Sequence, residues 1–230
     1  MMQKNLTKYI LITIICLIFT IALFELTSID ILVQDYFYNL NTNSWIWDSN
    51  EPISKFLFYD GIKKLLILFA FFILCSLVFF RKKEIIKTYK KGLIIVLLSA
   101  IIIPITIGSL KATTNMPCPK NIEYFGGNYP DVKLFDSYPT EFVQNKKIKC
   151  WPAGHASGGF ALLSLFFLFK KRRNQIYALS FALSVGWSMG TYKMLIGDHF
   201  VSHTIITMLI AWLLVLIIYK IITSIEKEKY

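Results

Sequence analysis

The three histidines, His155, His199 and His203, are the side chains best suited to chemistry. His155 comes directly after Pro152-Ala153-Gly154, where a polar stretch turns into an apolar helix. His199 and His203 are four residues apart and therefore share one face of a helix. An imidazole acts as a base or an acid near neutral pH, so three of them in one place would suit the transfer of a phosphoryl group.

The segment around His155 also predicts a binding site for phosphate. Pro152 suits the first position of a helix, and the free N–H groups that follow, including that of Gly154, attract anions with the help of the helix dipole. Lys111 and Lys193 are expected at helix ends on the same side of the protein. These groups would hold the phosphate oxygens while one imidazole attacks phosphorus and a second protonates the leaving oxygen. The second imidazole would then activate water, and this chemistry requires neither a metal ion nor a cofactor.

The rest of the chain predicts a membrane protein that would carry these groups. Its 230 residues are 55% hydrophobic with a mean hydropathy of +0.54, which is too apolar for a soluble domain of this size. Six runs approach or reach the length needed to cross about 30 Å of hydrocarbon. We therefore expect a single all-α domain over residues 1–230, a polytopic bundle of six transmembrane helices whose first helix is an uncleaved anchor. The runs are Tyr9–Leu26, Ile62–Phe80, Gly92–Leu110, Pro152–Phe169, Ile176–Met194 and Phe200–Tyr219.

The net charge of +11 is unevenly distributed along the chain. Of the 25 lysines and arginines, 15 lie in four short segments on one side of the six-span arrangement: up to Lys8, Arg81–Lys91, Lys170–Arg173 and from Lys220 onward. Short basic segments mark the cytoplasmic side, so both termini are expected there. The histidines would then lie at the outer surface of the membrane. Because topology accounts for the basic charge, a nucleic-acid partner is disfavoured.

A long polar segment, residues 111–151, is the expected active-site loop. Its four prolines and Gly126-Gly127 predict an irregular structure, and a loop of this length is usually functional. Cys118 and Cys150 bracket the loop in a compartment that permits disulfides. We favour a bridge between them over two free thiols, with a loop-closure contribution of about 3–4 kcal/mol.

Three features of the helices and their flanks carry structural predictions. Pro104 is expected to bend the third span. Gly186 and Gly190 predict close helix packing in the fifth span. Trp45 and Trp47 are interpreted as anchors at the bilayer surface rather than as substrate-binding residues.

Three parts of the sequence form a shared pattern: Lys111-x6-Cys118-Pro119, Pro152-Ala153-Gly154-His155 and Lys193-x5-His199-x3-His203. In order and internal spacing they resemble the signature of the type 2 phosphatidic acid phosphatase superfamily, which shares its site with the vanadium haloperoxidases. The six-span layout agrees with that family as well. The resemblance implies that His199 is the nucleophile, His155 the general acid and His203 the support of His199. It also implies that Lys111 and Lys193 bind the substrate phosphate.

The sequence departs from the usual pattern of that family at four positions. Cys118 and Lys193 stand where arginines are usual, Ala153 replaces a serine and His203 replaces an aspartate. Lysine lacks the flat two-pronged donor of arginine, and a neutral His203 cannot offset an imidazolium charge as a carboxylate does. We expect Asp198 to point to another face of the helix, so a loop carboxylate would have to fill the gap. The candidates are Glu123, Asp131 and Asp136, and the whole pattern indicates a divergent bacterial branch.

These observations predict an integral-membrane phosphatase that acts on an anionic lipid entering sideways from the bilayer. The resemblance implies phosphatidic acid, phosphatidylglycerol phosphate, undecaprenyl diphosphate or lipid A as substrate, and the large loop favours an envelope glycolipid or isoprenoid carrier. A lipid phosphotransferase of the same fold is an alternative. So are a non-catalytic lipid carrier, a haem protein and a thiol-redox membrane protein, the last disfavoured because the chain lacks Cys-x-x-Cys. The sequence leaves the oligomeric state open.

Overall fold

The protein is described by a computed structural model that covers residues 5–227 and is predominantly helical. The helices are α1 (Leu6–Leu26), α2 (Ile29–Asp35), α3 (Pro52–Lys55), α4 (Gly61–Phe79), α5 (Glu84–Thr113), α6 (Gly154–Ala161), α7 (Arg172–Leu195) and α8 (Val201–Lys227). A π-helical turn, Phe56–Asp60, joins α3 to α4, and a 3-10 helical segment, Leu162–Phe167, extends α6. Strands β1 (Tyr38–Asn39) and β2 (Ser44–Trp45) form a small antiparallel pair. The all-α class predicted from the sequence is confirmed.

Four helices are long and apolar enough to cross a membrane, which indicates a membrane protein. They are α1, the continuous helix Pro52–Phe79 that contains α3 and α4, then α5 and α8. The other two predicted spans are helical too, but α6 with its extension is shorter, and α7 is more polar because of its serines, glycines and Asn174-Gln175 start. The six-span count therefore stays a prediction.

Helix α6 begins later than the sequence predicts. Its first helical residue is Gly154, with Ala153 as the N-cap, so Pro152 precedes the helix rather than opening it. The backbone N–H of Ala153 donates to the carbonyl of His203 over 3.3 Å. This bond fixes the chain before α6 against the start of α8, which delays the first helical turn.

Glycines allow α6, α7 and α8 to approach one another closely. A β-carbon built at Gly159 would lie 2.7 Å from the α-carbon of Gly186, and one at Gly190 would lie 2.4 Å from the Thr204 side chain. Neither position has room for a side chain, so the close packing predicted for the fifth span is present. The contacts place the outer ends of these helices side by side.

The basic residues and the predicted site lie at opposite ends of the bundle. Lys91, near the start of α5, forms an ion pair of 2.7 Å with Glu226 near the end of α8. Lys111 lies in the last turn of α5, and 20 residues of helix rise about 30 Å, so it is one membrane thickness away. Helix α5 continues through Pro104 without interruption.

The segments outside the helices pack over the end that carries the histidines. The loop between α5 and α6 is irregular, with 3-10 turns at Pro119–Asn121 and Glu123–Phe125. Trp45 packs against Phe125 at a ring separation of 5.4 Å and covers Gly197, which has a φ of +73°. Trp45 is therefore part of this covering layer, and its interpretation as an anchor at the bilayer surface stays a prediction. A side chain at position 197 would meet its indole ring.

Candidate active site

The three histidines contact one another in a row. His155 lies in the first turn of α6, His199 in the link between α7 and α8, and His203 in the first turn of α8. Nδ1 of His155 is 3.3 Å from Nε2 of His199, and Nδ1 of His199 is 3.4 Å from Nδ1 of His203. His199 is therefore the central ring, with one nitrogen directed toward each neighbour.

His199 is buried, with 1% of its surface exposed. Burial first, and then the neighbouring His203 and Lys111, lower the pKa of His199 well below its usual range. The ring is therefore neutral at physiological pH, which is the form that a nucleophile or base requires.

The contacts also limit where the ring protons lie. Two nitrogens in contact share one proton, so one ring of each pair donates and the other accepts. If Nδ1 of His199 donates to Nδ1 of His203, Nε2 of His199 carries a lone pair, which accepts a hydrogen bond from Nδ1 of His155 until a substrate takes its place. The remaining proton of His203 is then on Nε2, a buried atom without a hydrogen-bond partner among residues 5–227.

Both predicted phosphate-binding lysines lie at this end of the bundle. The ammonium group of Lys193 is 4.8 Å from the centre of the Tyr59 ring, whose edge packs on the His155 ring at a centroid distance of 4.8 Å. The Lys111 side chain runs beside the start of α6, since a β-carbon built at Gly154 would lie 4.0 Å from its Nζ atom. The lysines therefore flank the helix start at which free backbone N–H groups favour an anion.

Three residues of the site were missed by the sequence reasoning. Asp198 does not point away as expected: its carboxylate accepts from Lys193 at 2.8 Å and from Lys120 at 2.6 Å. Lys120 follows Cys118-Pro119 by one position, and that proximity was the only sequence signal for it. Tyr59 carried no signal, because its position depends on the π-helical turn between α3 and α4.

Among the described residues, none of the three candidate loop carboxylates hydrogen-bonds to His199 or His203, and Glu123 is exposed. Asp136 accepts instead from the backbone N–H of Lys133 at 3.0 Å, and Asp131 lines a separate pocket with Asp30. Nδ1 of His199 instead contacts Nδ1 of His203 at 3.4 Å.

A disulfide between Cys118 and Cys150 joins the two ends of the active-site loop. Cys150 is fully buried, and its sulfur lies 3.6 Å from Nδ1 of His199. The hydroxyl of Thr114 donates to the carbonyl of Trp151 at 2.7 Å, which adds a second link between the end of α5 and the start of α6. The loop is thus fixed at the two points where it meets the site.

The same cysteine takes part in the one cluster of potential metal ligands in residues 5–227. Donor atoms of Cys150, His199 and His203 lie within 4.8 Å of one another. A sulfur in a disulfide is not a thiolate and binds metals poorly, so only two imidazoles remain as donors. The arrangement fits a phosphoryl-transfer site better than a zinc site.

A cleft of about 590 Å³ leads from the histidines into the bundle between α4, α5 and α6. Its outer end is lined by His155, Lys111, Tyr59 and Lys63. From Lys111 the lining extends along α5 to Val96, a rise of about 22 Å. The walls beyond the polar end are apolar: Leu66, Ile67, Phe69, Ala70, Ala100, Ile101, Ala161 and Leu162.

Comparison with known families decides where this arrangement belongs. The model of the PAP2 superfamily matches residues 92–226, more than half of the chain, and the match contains all three histidines and both predicted phosphate-binding lysines. The chain belongs to the PAP2 superfamily. Membership indicates a phosphatase that acts on phosphate esters. No curated protein and no solved structure shows a significant match to this PAP2 protein.

Proposed function

We propose that this PAP2 protein removes a phosphate group from an anionic membrane lipid through a phosphohistidine intermediate. The observation that carries the proposal is the cleft, which has lysines and a histidine at one end and apolar walls over the rest of its length. Ile67 and Ile101 line it and are 61% and 48% exposed, and such apolar side chains on the outside of a helix bundle suit contact with lipid. A phosphate head group and its hydrocarbon tail both find matching surroundings in such a cleft.

The histidine contacts support a two-step reaction. Nε2 of His199 attacks phosphorus, the bond from phosphorus to the ester oxygen breaks, and that oxygen takes a proton from the imidazolium form of His155, which the negative charge of the bound phosphate favours. In this mechanism His203, whose Nδ1 lies 3.4 Å from Nδ1 of His199, would accept a hydrogen bond from that atom and hold the ring in place. Water then attacks the phosphohistidine with His155 as the base, and the phosphorus–nitrogen bond breaks to release phosphate.

The positive groups around the helix start would stabilise the charge on the phosphoryl group. Lys111 and Lys193 supply ammonium groups, and the N–H of Gly154 belongs to the first turn of α6. In a site partly shielded from water, such donors stabilise a transition state by several kcal/mol. Because the helix ends already hold these donors in place, the donors need not rearrange during the reaction.

The membrane arrangement completes the proposal. With α6 and α7 counted as spans, the chain crosses six times, and the basic segments at the end opposite to the histidines lie in the cytoplasm. The active site then faces the periplasm from the inner membrane. The substrate would be drawn from lipid phosphates and diphosphates such as phosphatidic acid, undecaprenyl diphosphate or lipid A.

The test is phosphate release from a panel of lipid phosphates by the purified protein. We expect the wild type to release phosphate without an added acceptor lipid, and His199→Ala and His155→Ala each to lose more than about 100-fold in rate. Tyr177→Ala, which changes a side chain that is 63% exposed and remote from the site, is the matched control. Full activity in His199→Ala would remove the nucleophile assignment. Release that depends on an acceptor lipid would favour a phosphotransferase.

A further inference from the structure

Asp198 connects two lysines, only one of which the sequence pattern predicts as a phosphate ligand. One carboxylate oxygen is 2.8 Å from Nζ of Lys193, and the other is 2.6 Å from Nζ of Lys120. Asp198 immediately precedes the nucleophile His199. The two ammonium groups are therefore gathered around one small anionic group beside the reacting histidine.

We propose that Lys120 is a third phosphate-binding cation of this site and that Asp198 holds it in position for the substrate. The proposal rests on the proposed function and adds to it a residue that binds the transferred group. A phosphate group has three terminal oxygens where a carboxylate has two, so it can accept from the same two ammonium groups. Substrate phosphate would then share or replace the contacts that Asp198 makes.

The backbone of Lys120 is fixed relative to Asp198. Its N–H donates to the carbonyl of Gly197 at 3.0 Å, and it follows the disulfide-bonded Cys118 by two positions. The 3-10 turn Pro119–Asn121 holds it between those points. The backbone therefore holds the base of the Lys120 side chain at a fixed distance from the Asp198 carboxylate. This favours an ion pair that the fold maintains over a chance pairing of two surface residues.

The two lysines differ in exposure. The Lys193 side chain is 11% exposed and the Lys120 side chain is 48% exposed. An incoming phosphate group can therefore contact Lys120 at the protein surface, whereas Lys193 lies deeper within the protein. Lys120 keeps the freedom to move from the carboxylate to a substrate oxygen.

Charge balance supports a third cation. A phosphate monoester carries about two negative charges at neutral pH. Burial alone would raise the pKa of Asp198, but hydrogen bonds from Lys120 and Lys193 outweigh it and hold that pKa below its usual value, so the carboxylate stays charged. Lys111 and Lys193 together with Asp198 leave a single positive charge. Lys120 adds a second positive charge, so the net charge of these four side chains balances the two negative charges of the substrate phosphate.

The test measures binding of inorganic phosphate to the full-length protein in detergent. The readouts are competitive inhibition of lipid-phosphate hydrolysis and the rise of the thermal unfolding midpoint with phosphate, against chloride at equal ionic strength. Lys120→Ala should raise the inhibition constant of phosphate about 5- to 20-fold, the effect of losing one charge-assisted hydrogen bond. Lys120→Arg should retain most of the affinity. Lys149→Ala, which removes an exposed lysine of the same loop, should change it less than about twofold.

A second background separates phosphate binding from a purely structural ion pair. In Asp198→Asn the ion pair that positions Lys120 is gone, so Lys120→Ala should weaken phosphate protection less than it does in the wild-type background but still more than Lys149→Ala does. Loss of that effect in the Asp198→Asn background would overturn the proposal, and so would equal behaviour of Lys120→Ala and Lys149→Ala. If Asp198→Asn does not fold, the comparison of the three lysine variants alone decides.

The thermal unfolding midpoint reports phosphate binding without turnover, so the cation site and the proposed function are tested independently. A wild type that hydrolyses no lipid phosphate contradicts the proposed function, while protection by phosphate that is lost in Lys120→Ala still supports the cation site. A wild type whose unfolding midpoint and activity do not respond to phosphate contradicts the cation site itself.

Discussion

At the scale of single residues, the least usual feature of the site is that the proposed nucleophile, His199, contacts another imidazole where the family pattern has a carboxylate. Nδ1 of His199 lies 3.4 Å from Nδ1 of His203, and both rings are buried. A carboxylate in that place would stabilise a positive His199, whereas a neutral imidazole fixes its orientation through a hydrogen bond. The support is thus geometric more than electrostatic.

Removal of His203 should therefore lower the turnover number more than it weakens binding. We expect His203→Ala to reduce kcat at least about 10-fold with KM within about threefold of the wild type, since the ring does not reach the substrate. His203→Asn should recover part of the loss because its amide oxygen can accept from Nδ1 of His199. Steady-state kinetics on a lipid phosphate check both variants. A rise in KM with unchanged kcat would contradict a positioning role.

Asp30 supports the site from outside it. Its carboxylate accepts from the backbone N–H of Ser202 at 3.0 Å and from the Ser202 hydroxyl. This caps the start of α8, next to His199 and His203, in the way that an N-cap side chain does. Burial raises the pKa of Asp30 to about 6, against the lowering effect of the Ser202 bonds.

The stability of the protein should depend on pH through Asp30. Because its folded-state pKa of about 6 exceeds the ordinary 3.8, the folded protein binds more protons than the unfolded chain between those values. The free energy of unfolding should therefore fall as pH rises from about 4 to about 6 and remain lower above that range. Asp30→Asn should lose this dependence, measured as thermal unfolding midpoints across the range. Asp48→Asn, at an exposed loop position, is the control and should keep the wild-type slope.

At the scale of helices, the site depends on glycine contacts that bring α6 and α7 together. The β-carbon position of Gly159 lies 2.7 Å from the backbone of Gly186, which cannot move aside as a flexible side chain would. Since α6 carries His155, a shift of this helix also separates His155 from His199.

Gly159→Ala should destabilise the protein by about 1–3 kcal/mol through overpacking. It should also lower activity in the folded fraction, because α6 must move to admit the methyl group. Gly108→Ala is the matched control: it lies in α5 with no atom within 4 Å of the new β-carbon, and it should be neutral or stabilising by up to about 1 kcal/mol. Thermal unfolding of both variants measures the difference. Equal stability of the two would show that the α6–α7 contact is not limiting.

At the scale of the whole molecule, the cleft connects the end of the bundle that carries His155 to the apolar middle of the bundle. Its apolar walls come from α4, α5 and α6, so it exists only when the three helices are packed. The cleft runs about 22 Å along α5, which is enough for most of a lipid chain in one leaflet. The proposed choice of a lipid over a soluble phosphate ester rests on this feature.

Ala100→Trp should obstruct the cleft without touching the histidines. We expect kcat/KM to fall at least about 10-fold for a long-chain lipid phosphate and much less for a short-chain analogue. Ile105→Trp adds the same ring to a position on α5 that is 63% exposed and does not line the cleft. Kinetics with both substrates test the pair of variants. An equal loss on both substrates in Ala100→Trp would indicate general damage instead of a blocked tail site.

Much of the architecture follows from the sequence alone. Apolar runs predict α1, α4, α5 and α8 because the bilayer requires long helices that satisfy their own backbone hydrogen bonds. The spacing of Lys193, His199 and His203 predicts which side chains share a helix end. These are local properties, since they depend on residues within a few helical turns of one another.

The contacts that complete the site were decided by the tertiary structure. The pairing of Asp198 with Lys120, the packing of Tyr59 on His155 and the cleft between α4, α5 and α6 each join segments far apart in the chain. Periodicity and spacing describe one segment at a time, so they do not determine how a loop side chain is directed toward another helix. The sequence by itself determined the helices and the residue types that are available for chemistry. The packing of those helices determined which charged groups surround the histidines and which apolar side chains line the cleft.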